Sequence, residues 1–130
     1  MGFLDIDLDD AQEPTVIEAN SEVQVRVTSA ETGTDKNGHP YLLIRCDVPD
    51  EPASKDFTYF LRLPHAGMDG KQLNNTKWRL KLFFKAIGED PKSLDSPEDL
   101  QGKTFWAILG VSESDEYGEQ NFIKKIIKGA

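Results

Sequence analysis

Lys55-Asp-Phe-Thr-Tyr-Phe-Leu-Arg-Leu63, followed after a loop from Pro64 to Gly70 by Lys77-Trp-Arg-Leu-Lys-Leu-Phe-Phe-Lys-Ala-Ile87, decides how this chain is read. The first segment alternates. Phe57, Tyr59, Leu61 and Leu63 share one face and Thr58, Phe60 and Arg62 the other, the period-2 pattern of a strand. In the second, Leu80, Phe83, Phe84 and Ile87 recur at helical spacing, with Lys77, Arg79, Lys81 and Lys85 off that stripe. Asn75 or Thr76 suits the N-cap, and Gly88 stands where a C-cap glycine belongs. The apolar stripe, with Trp78 beside it, is expected to face the core and the lysines to face solvent.

More strands lie on both flanks. Upstream, Val23, Val25 and Val27 alternate with Glu22, Gln24, Arg26 and Thr28, and Glu31 to Pro40 reads as a long turn rich in Gly, Asn and Asp. Tyr41 to Val48 follows, with Leu42, Ile44, Cys46 and Val48 inward and Tyr41, Leu43 and Arg45 opposite. Pro49 to Ser54 closes that strand. Downstream, Glu89 to Gln101 carries two prolines and reads as a connection. Thr104 to Val111 and Asn121 to Ile127 then form a pair joined across Ser112 to Gly118. Five short strands with one α-helix between strands 3 and 4 predict a mainly β fold, a five-stranded Greek-key barrel of the OB type. A sandwich would call for about seven strands and no helix at that point. The expected domain spans 18–130, preceded by an acidic, extended segment over 1–17.

A chain of 130 residues, 38% hydrophobic and 29% charged, matches one ordinary globular domain. The single Cys46 excludes an intramolecular disulfide. Met1-Gly2-Phe3-Leu4-Asp5 lacks the basic and apolar regions of a signal peptide, and no apolar run approaches the roughly 20 residues of a membrane span. The expectation is a soluble cytoplasmic protein without membrane contact. Net charge is −8, but residues 1–35 hold nine acids against Arg26 alone, whereas residues 36–130 hold 14 acids and 14 basic residues. The body is thus neutral, and local patches govern what it binds.

Catalysis finds little footing. His39 and His65 lie in loops without carboxylate or cysteine at ligand spacing, so they read as solvated, and no zinc set is apparent. Cys46 on an inward row behaves as a small hydrophobe. Gly67-Met-Asp-Gly-Lys71 lacks the spacing and hydroxyl of a P-loop. The acids of Asp47 to Glu51 and Glu113 to Glu119 read as solvated loop carboxylates. The expectation is no enzyme, no cofactor and no metal. Binding finds more. Tyr41, Phe60, Trp106 and Phe122 are interleaved with Arg45, Arg62, Lys103, Lys124 and Lys125, rings that stack on bases beside cations that meet phosphates. Phe57, Tyr59 and Trp78 fall on or beside apolar rows and are assigned to the core.

Gly38-His-Pro-Tyr-Leu-Leu-Ile-Arg45, Leu61-Arg-Leu-Pro64, Trp78-Arg-Leu-Lys-Leu-Phe-Phe-Lys-Ala-Ile-Gly88, Leu100-Gln-Gly-Lys-Thr-Phe-Trp-Ala107 and Tyr117-Gly-Glu-Gln-Asn-Phe-Ile-Lys124 follow one another in a familiar order. Together they resemble the small phage-encoded single-stranded DNA-binding proteins of OB fold, many first catalogued as phage proteins of unknown function. The likeness covers residues 20–128 and rests on the order of short motifs. It implies a replication or recombination accessory protein that coats single strands with little sequence preference, in the host cytoplasm. Its binding residues would map onto Tyr41, Arg45, Phe60, Arg62, Trp106 and Lys124. Many such proteins end in an acidic tail that recruits partners. This chain ends Lys124-Lys-Ile-Ile-Lys-Gly-Ala130 instead, so Phe3, Leu4, Asp5, Asp7, Asp9 and Asp10 are expected to take that part from the other terminus. A homodimer is compatible with the sequence. The alternative reading is an OB-type protein-interaction adaptor or scaffold without nucleic-acid affinity.

Overall fold

The computed structural model describes residues 2–129, so Met1 and Ala130, the outer ends of the two expected segments, lie outside the described residues. The element order is β1 (Glu22–Thr34), β2 (Pro40–Asp47), β3 (Phe57–Arg62), α1 (Gly70–Ile87), β4 (Thr104–Ser114) and β5 (Gly118–Gly129). Two short 3-10 turns, Pro91–Ser93 and Pro97–Leu100, connect α1 to β4. All five strands join one antiparallel sheet in the order β3-β2-β1-β4-β5.

β1 is the spine of that sheet. Its first half, Glu22 to Arg26, pairs with β4, and its second half, Arg26 to Thr34, pairs with β2. A register shift between Val27 and Ser29 marks a bulge, which bends and twists a strand where two sheet halves must diverge. The edge strands β3 and β5 come within 8 Å of each other between Cα atoms. No ladder joins them among the described residues, so the sheet is not closed into a barrel. α1 packs on β3, β4 and β5.

The inward rows behave as their alternation requires. Val25, Val27, Leu42, Ile44, Cys46 and Leu61 are buried, and Phe105, Ala107 and Leu109 bring the same face of β4 to them. From the helix, Phe83, Phe84 and Ile87 close the core. Phe83 stands edge-on to Phe84 at 5.3 Å and to Phe105 at 5.6 Å between ring centroids. Such aromatic pairs add about 0.5–1.5 kcal/mol each beyond the area they bury.

Three expectations are corrected. The helix begins at Gly70, not at Asn75 or Thr76. Asp69 is its N-cap in a reciprocal capping box: the Gln72 N–H donates to Asp69 Oδ1 at 2.8 Å, and the Asp69 N–H donates to Gln72 Oε1 at 3.1 Å. The turns this cap starts are almost wholly polar, so they carry no apolar stripe to betray them. Trp78 is 54% exposed rather than core. At 3.6 residues per turn it lies about 140° round the helix from Phe83. Both hairpins also run beyond the core. Glu31 to Thr34 continues β1 opposite Leu43 to Pro40, and Ser112 to Ser114 continues β4 opposite Gln120 to Gly118. These extensions are mostly polar and solvated, which is why their composition reads as turn.

The amino-terminal segment is tied down from Thr15 onward. The Thr15 N–H donates to Ala53 O at 3.1 Å, and the Lys55 N–H donates to Thr15 O at 2.8 Å. Asn121, a buried polar side chain on β5, clamps the segment further along. Its Oδ1 accepts from the Ile17 N–H at 2.8 Å, while its Nδ2 donates to Ile17 O at 2.9 Å and Gly110 O at 3.1 Å. Ahead of Thr15 the side chains stand in solvent, with Phe3 96% exposed. Among the described residues no helix is long and apolar enough to cross a membrane.

Candidate nucleic-acid interface

The outward rows of β2 and β3 form one surface. Register places Tyr41 opposite Arg62, Leu43 opposite Phe60, and Arg45 opposite Thr58. Directly opposed residues on one sheet face have Cβ atoms about 5 Å apart, so these six side chains share one face. The Tyr41 and Phe60 rings meet diagonally across it, 5.0 Å between centroids and tilted by 39°. Phe60 keeps 44% of its surface exposed. Tyr41 rests on Gly33, its partner on β1: a Cβ there would lie 2.6 Å from the Tyr41 hydroxyl. The glycine is thus a seat that lets the ring lie against the sheet.

Two of the cations on this side of the sheet are already neutralised. Arg45 meets Glu31 at 3.6 Å, and Arg26 grips Asp47 through Nε at 3.0 Å and through a second, shorter bond. Arg62 forms no ion pair among the described residues.

A second surface lies on β4 and β5. Trp106 stands opposite Gln24 on β1 and Lys128 on β5, with Lys128 Nζ 5.9 Å from the indole centroid. Ile108 faces Lys125, and Phe122, 41% exposed, seats on Gly110 as Tyr41 does on Gly33. Lys124 is turned aside and donates to Asn20 Oδ1 at 2.8 Å.

The expected binding residues therefore do not form one patch. Tyr41, Arg45, Phe60 and Arg62 come together; Trp106, Phe122 and Lys125 form another group. Lys103 belongs to neither, being ion-paired with Glu89. Along β1, Gly33 beneath Tyr41 lies nine positions beyond Gln24 beside Trp106, roughly 30 Å of chain at strand rise.

One group escapes sequence reading. His39 and His65 stack face to face, 4.1 Å between ring centroids and 12° from parallel. They border a cavity of about 550 Å³ between the end of β3 and the first turns of α1, lined also by Arg62, Gln72, Asn75 and Arg79. The signal lay in the register. If Tyr41 opposes Arg62, continuing the ladder brings His39 to the chain just before His65.

Among the described residues the chain is thus a mainly β protein, one five-stranded antiparallel sheet with a single α-helix on it. Compared with known proteins, it matches no protein-family model and shows no significant similarity to any curated protein.

Proposed function

We propose that this chain is a single-stranded DNA-binding protein of OB type that coats exposed strands with little sequence preference and acts in phage DNA replication or recombination. The observation that carries the reading is the ring pair Tyr41–Phe60 with Arg62 beside it on the outer face of β2 and β3. An exposed Phe60 ring and a half-buried Tyr41 ring, next to a guanidinium with no ion pair among the described residues, give base stacking and phosphate contact on one surface. The strand order β3-β2-β1-β4-β5, with the helix between β3 and β4, supports an OB-type Greek-key barrel that would close by joining β3 to β5. The neutral charge of residues 36–130 leaves such a surface accessible to a polyanion. The protein works in the host cytoplasm, without catalysis, as a monomer or homodimer along the strand.

The exposed Phe3, Leu4, Ile6 and Leu8, set among Asp5, Asp7, Asp9 and Asp10, favour a docking peptide for replication or recombination proteins. That same segment is what an adaptor without nucleic-acid affinity would use. Anisotropy of a labelled oligothymidine at two salt concentrations separates the two. Tyr41→Ala/Phe60→Ala should weaken binding about 30-fold or more, since each stacked base is worth about 1–3 kcal/mol. Trp106→Ala/Phe122→Ala should change it less than about threefold. A reversed pattern would move the site to β4 and β5, and no binding by the wild type at low salt would favour the adaptor.

A further inference from the structure

We infer that the cavity bordered by His39 and His65 is a phosphodiester-binding groove that receives the DNA backbone as the strand leaves the Tyr41–Phe60 rings. This rests on the single-strand reading above and adds to it a second, separate contact site. Its donors come from three elements. Arg62 ends β3, Arg79 projects from α1, and the two imidazoles come from the chain flanking β2 and β3. Neither guanidinium is ion-paired among the described residues. Arginine is the side chain best suited to grip phosphate oxygens, by its planar fork of N–H groups.

The tautomer of His65 is fixed by a local bond. Its Nδ1 accepts from the Gly67 N–H at 3.1 Å, so in the neutral ring the proton sits on Nε2, which becomes a donor. Stacking on His39 holds that ring in place.

Continuity with the stacking surface makes the ligand a strand rather than a free anion. Arg62 stands opposite Tyr41 and also lines the cavity, so a phosphate beside a base on Tyr41 is already at its mouth. A volume of about 550 Å³ also exceeds what one phosphate fills and lies in the range of nucleotide-sized sites. Two acids bound it. Asp69 is occupied in capping Gln72. Asp35 accepts from the His39 and Asn37 N–H groups at 2.9 Å, and its carboxylate lies 3.9 Å from His39 Nδ1. Those bonds, the one from His39 above all, hold the Asp35 carboxyl below the usual range. As a carboxylate beside His39 and within reach of the Arg62 charge, it repels a phosphate that approaches those two residues.

The test uses the two histidines, which are the only ones in the chain, as internal probes. Oligothymidine is titrated into the full chain while their ring C–H resonances are followed by NMR, and binding is measured against salt for wild type, Arg79→Gln and Asp35→Asn. Both ring resonances should move with saturation. Arg79→Gln should lower the slope of log affinity against log salt by about one, because one phosphate contact is lost. Asp35→Asn, which keeps its acceptor oxygen, should tighten binding, a gain that a merely structural role for the groove would not produce. Oligothymidine binding with unmoved histidine resonances, or with the slope unchanged in Arg79→Gln, overturns the groove and leaves the stacking surface standing. Absence of any binding overturns both.

Discussion

The outer face of β2 and β3 and the outer face of β4 and β5 are built from the same parts, yet the parts are committed differently. Each has an aromatic ring seated on a cross-strand glycine, Tyr41 on Gly33 and Phe122 on Gly110. Each carries cations beside its rings. On β4 and β5, however, much of the polar chemistry is consumed internally. Asn121 clamps Ile17, Lys124 holds Asn20, and Leu109 exchanges backbone hydrogen bonds with Asn20 and Ser21. That half anchors the incoming chain. On β2 and β3 a half-buried Tyr41 meets an exposed Phe60, and Arg62 has no direct ion pair among the described residues, only the charge of Asp35 nearby, beside a cavity that holds Arg79. Composition alone does not separate a scaffold from a binding face; what each polar group already holds does.

The largest effect expected from breaking this contrast is on stability, at Asn121. Its three hydrogen bonds join the amino-terminal segment to β4 and β5 from a buried position. Asn121→Ala should lower unfolding free energy by about 2–4 kcal/mol, because each lost bond is worth about 1 kcal/mol and buried partners are left unmet. Urea denaturation checks this, and a loss below about 1 kcal/mol would show that the segment is not anchored there. Asn121→Asp should be comparably harmful, since an ionised carboxylate cannot donate to Ile17 O or Gly110 O.

Behind the other face stands Cys46, buried on the inward row of β2. Burial pushes its thiol up from the ordinary 9.0 to about 12. The raised value fixes the sign. Below pH 9 the thiol is neutral in both folded and unfolded chains and stability is unaffected. As pH rises from 9 toward 12 the unfolded chain loses its proton first, so stability falls. At pH 10 the loss from this group is about 1 kcal/mol. In Cys46→Val the stability difference between pH 7 and pH 10 should shrink by that amount. Equal pH dependence in both proteins would mean that the thiol is not held dry behind the proposed face.

How much of this was legible in the sequence depended on whether a residue's partner was near in the chain or far. Leu42, Ile44 and Cys46 were readable as an inward row because period-2 alternation is local, and Gly88 as a C-cap because it ends an apolar stripe. The helix start is hidden for a related reason. Asp69 and Gln72 signal a capping box, but the polar turns after them lack the periodicity that draws the eye. Trp78 reads as core because it is itself apolar and stands two residues ahead of the stripe that begins at Leu80, although its helical angle points away from Phe83. For the candidate site, residue types were visible and grouping was not. Nothing local says that Lys103 is held by Glu89, that Tyr41 and Trp106 lie at opposite ends of β1, or that His39 stacks on His65. The last two follow from strand register, which a single residue of slippage would reverse, and the first from the path of the connection between α1 and β4.

The seating glycines offer a smaller, paired perturbation. A Cβ at Gly33 would stand 2.6 Å from the Tyr41 hydroxyl and 2.8 Å from its Cζ, so the ring must lift. A Cβ at Gly110 would likewise displace the Phe122 ring. In both cases the obstacle is the far end of a side chain, so folding should change little. Gly33→Ala should then weaken oligothymidine binding by about three- to tenfold, part of one ring's stacking energy, while Gly110→Ala leaves it unchanged. Equal loss in both variants would erase the distinction between the faces.

The finest contrast lies within the proposed face, between Arg62 and Arg45. Both project outward, but Arg45 must leave Glu31 before it can meet a phosphate, and that exchange releases fewer counterions than an unpaired cation does. Arg62→Gln should therefore lower the salt slope by about one, and Arg45→Gln by clearly less. Glu31→Gln supplies the converse: it frees Arg45 without adding a charge to it, so the slope should steepen and binding at low salt should tighten. If Arg45→Gln and Arg62→Gln flatten the slope equally and Glu31→Gln does nothing, the Glu31 pair is an exposed contact of no consequence, as surface ion pairs often are. The face would then be set by its rings and total charge, and the commitment of individual cations would matter only on β4 and β5.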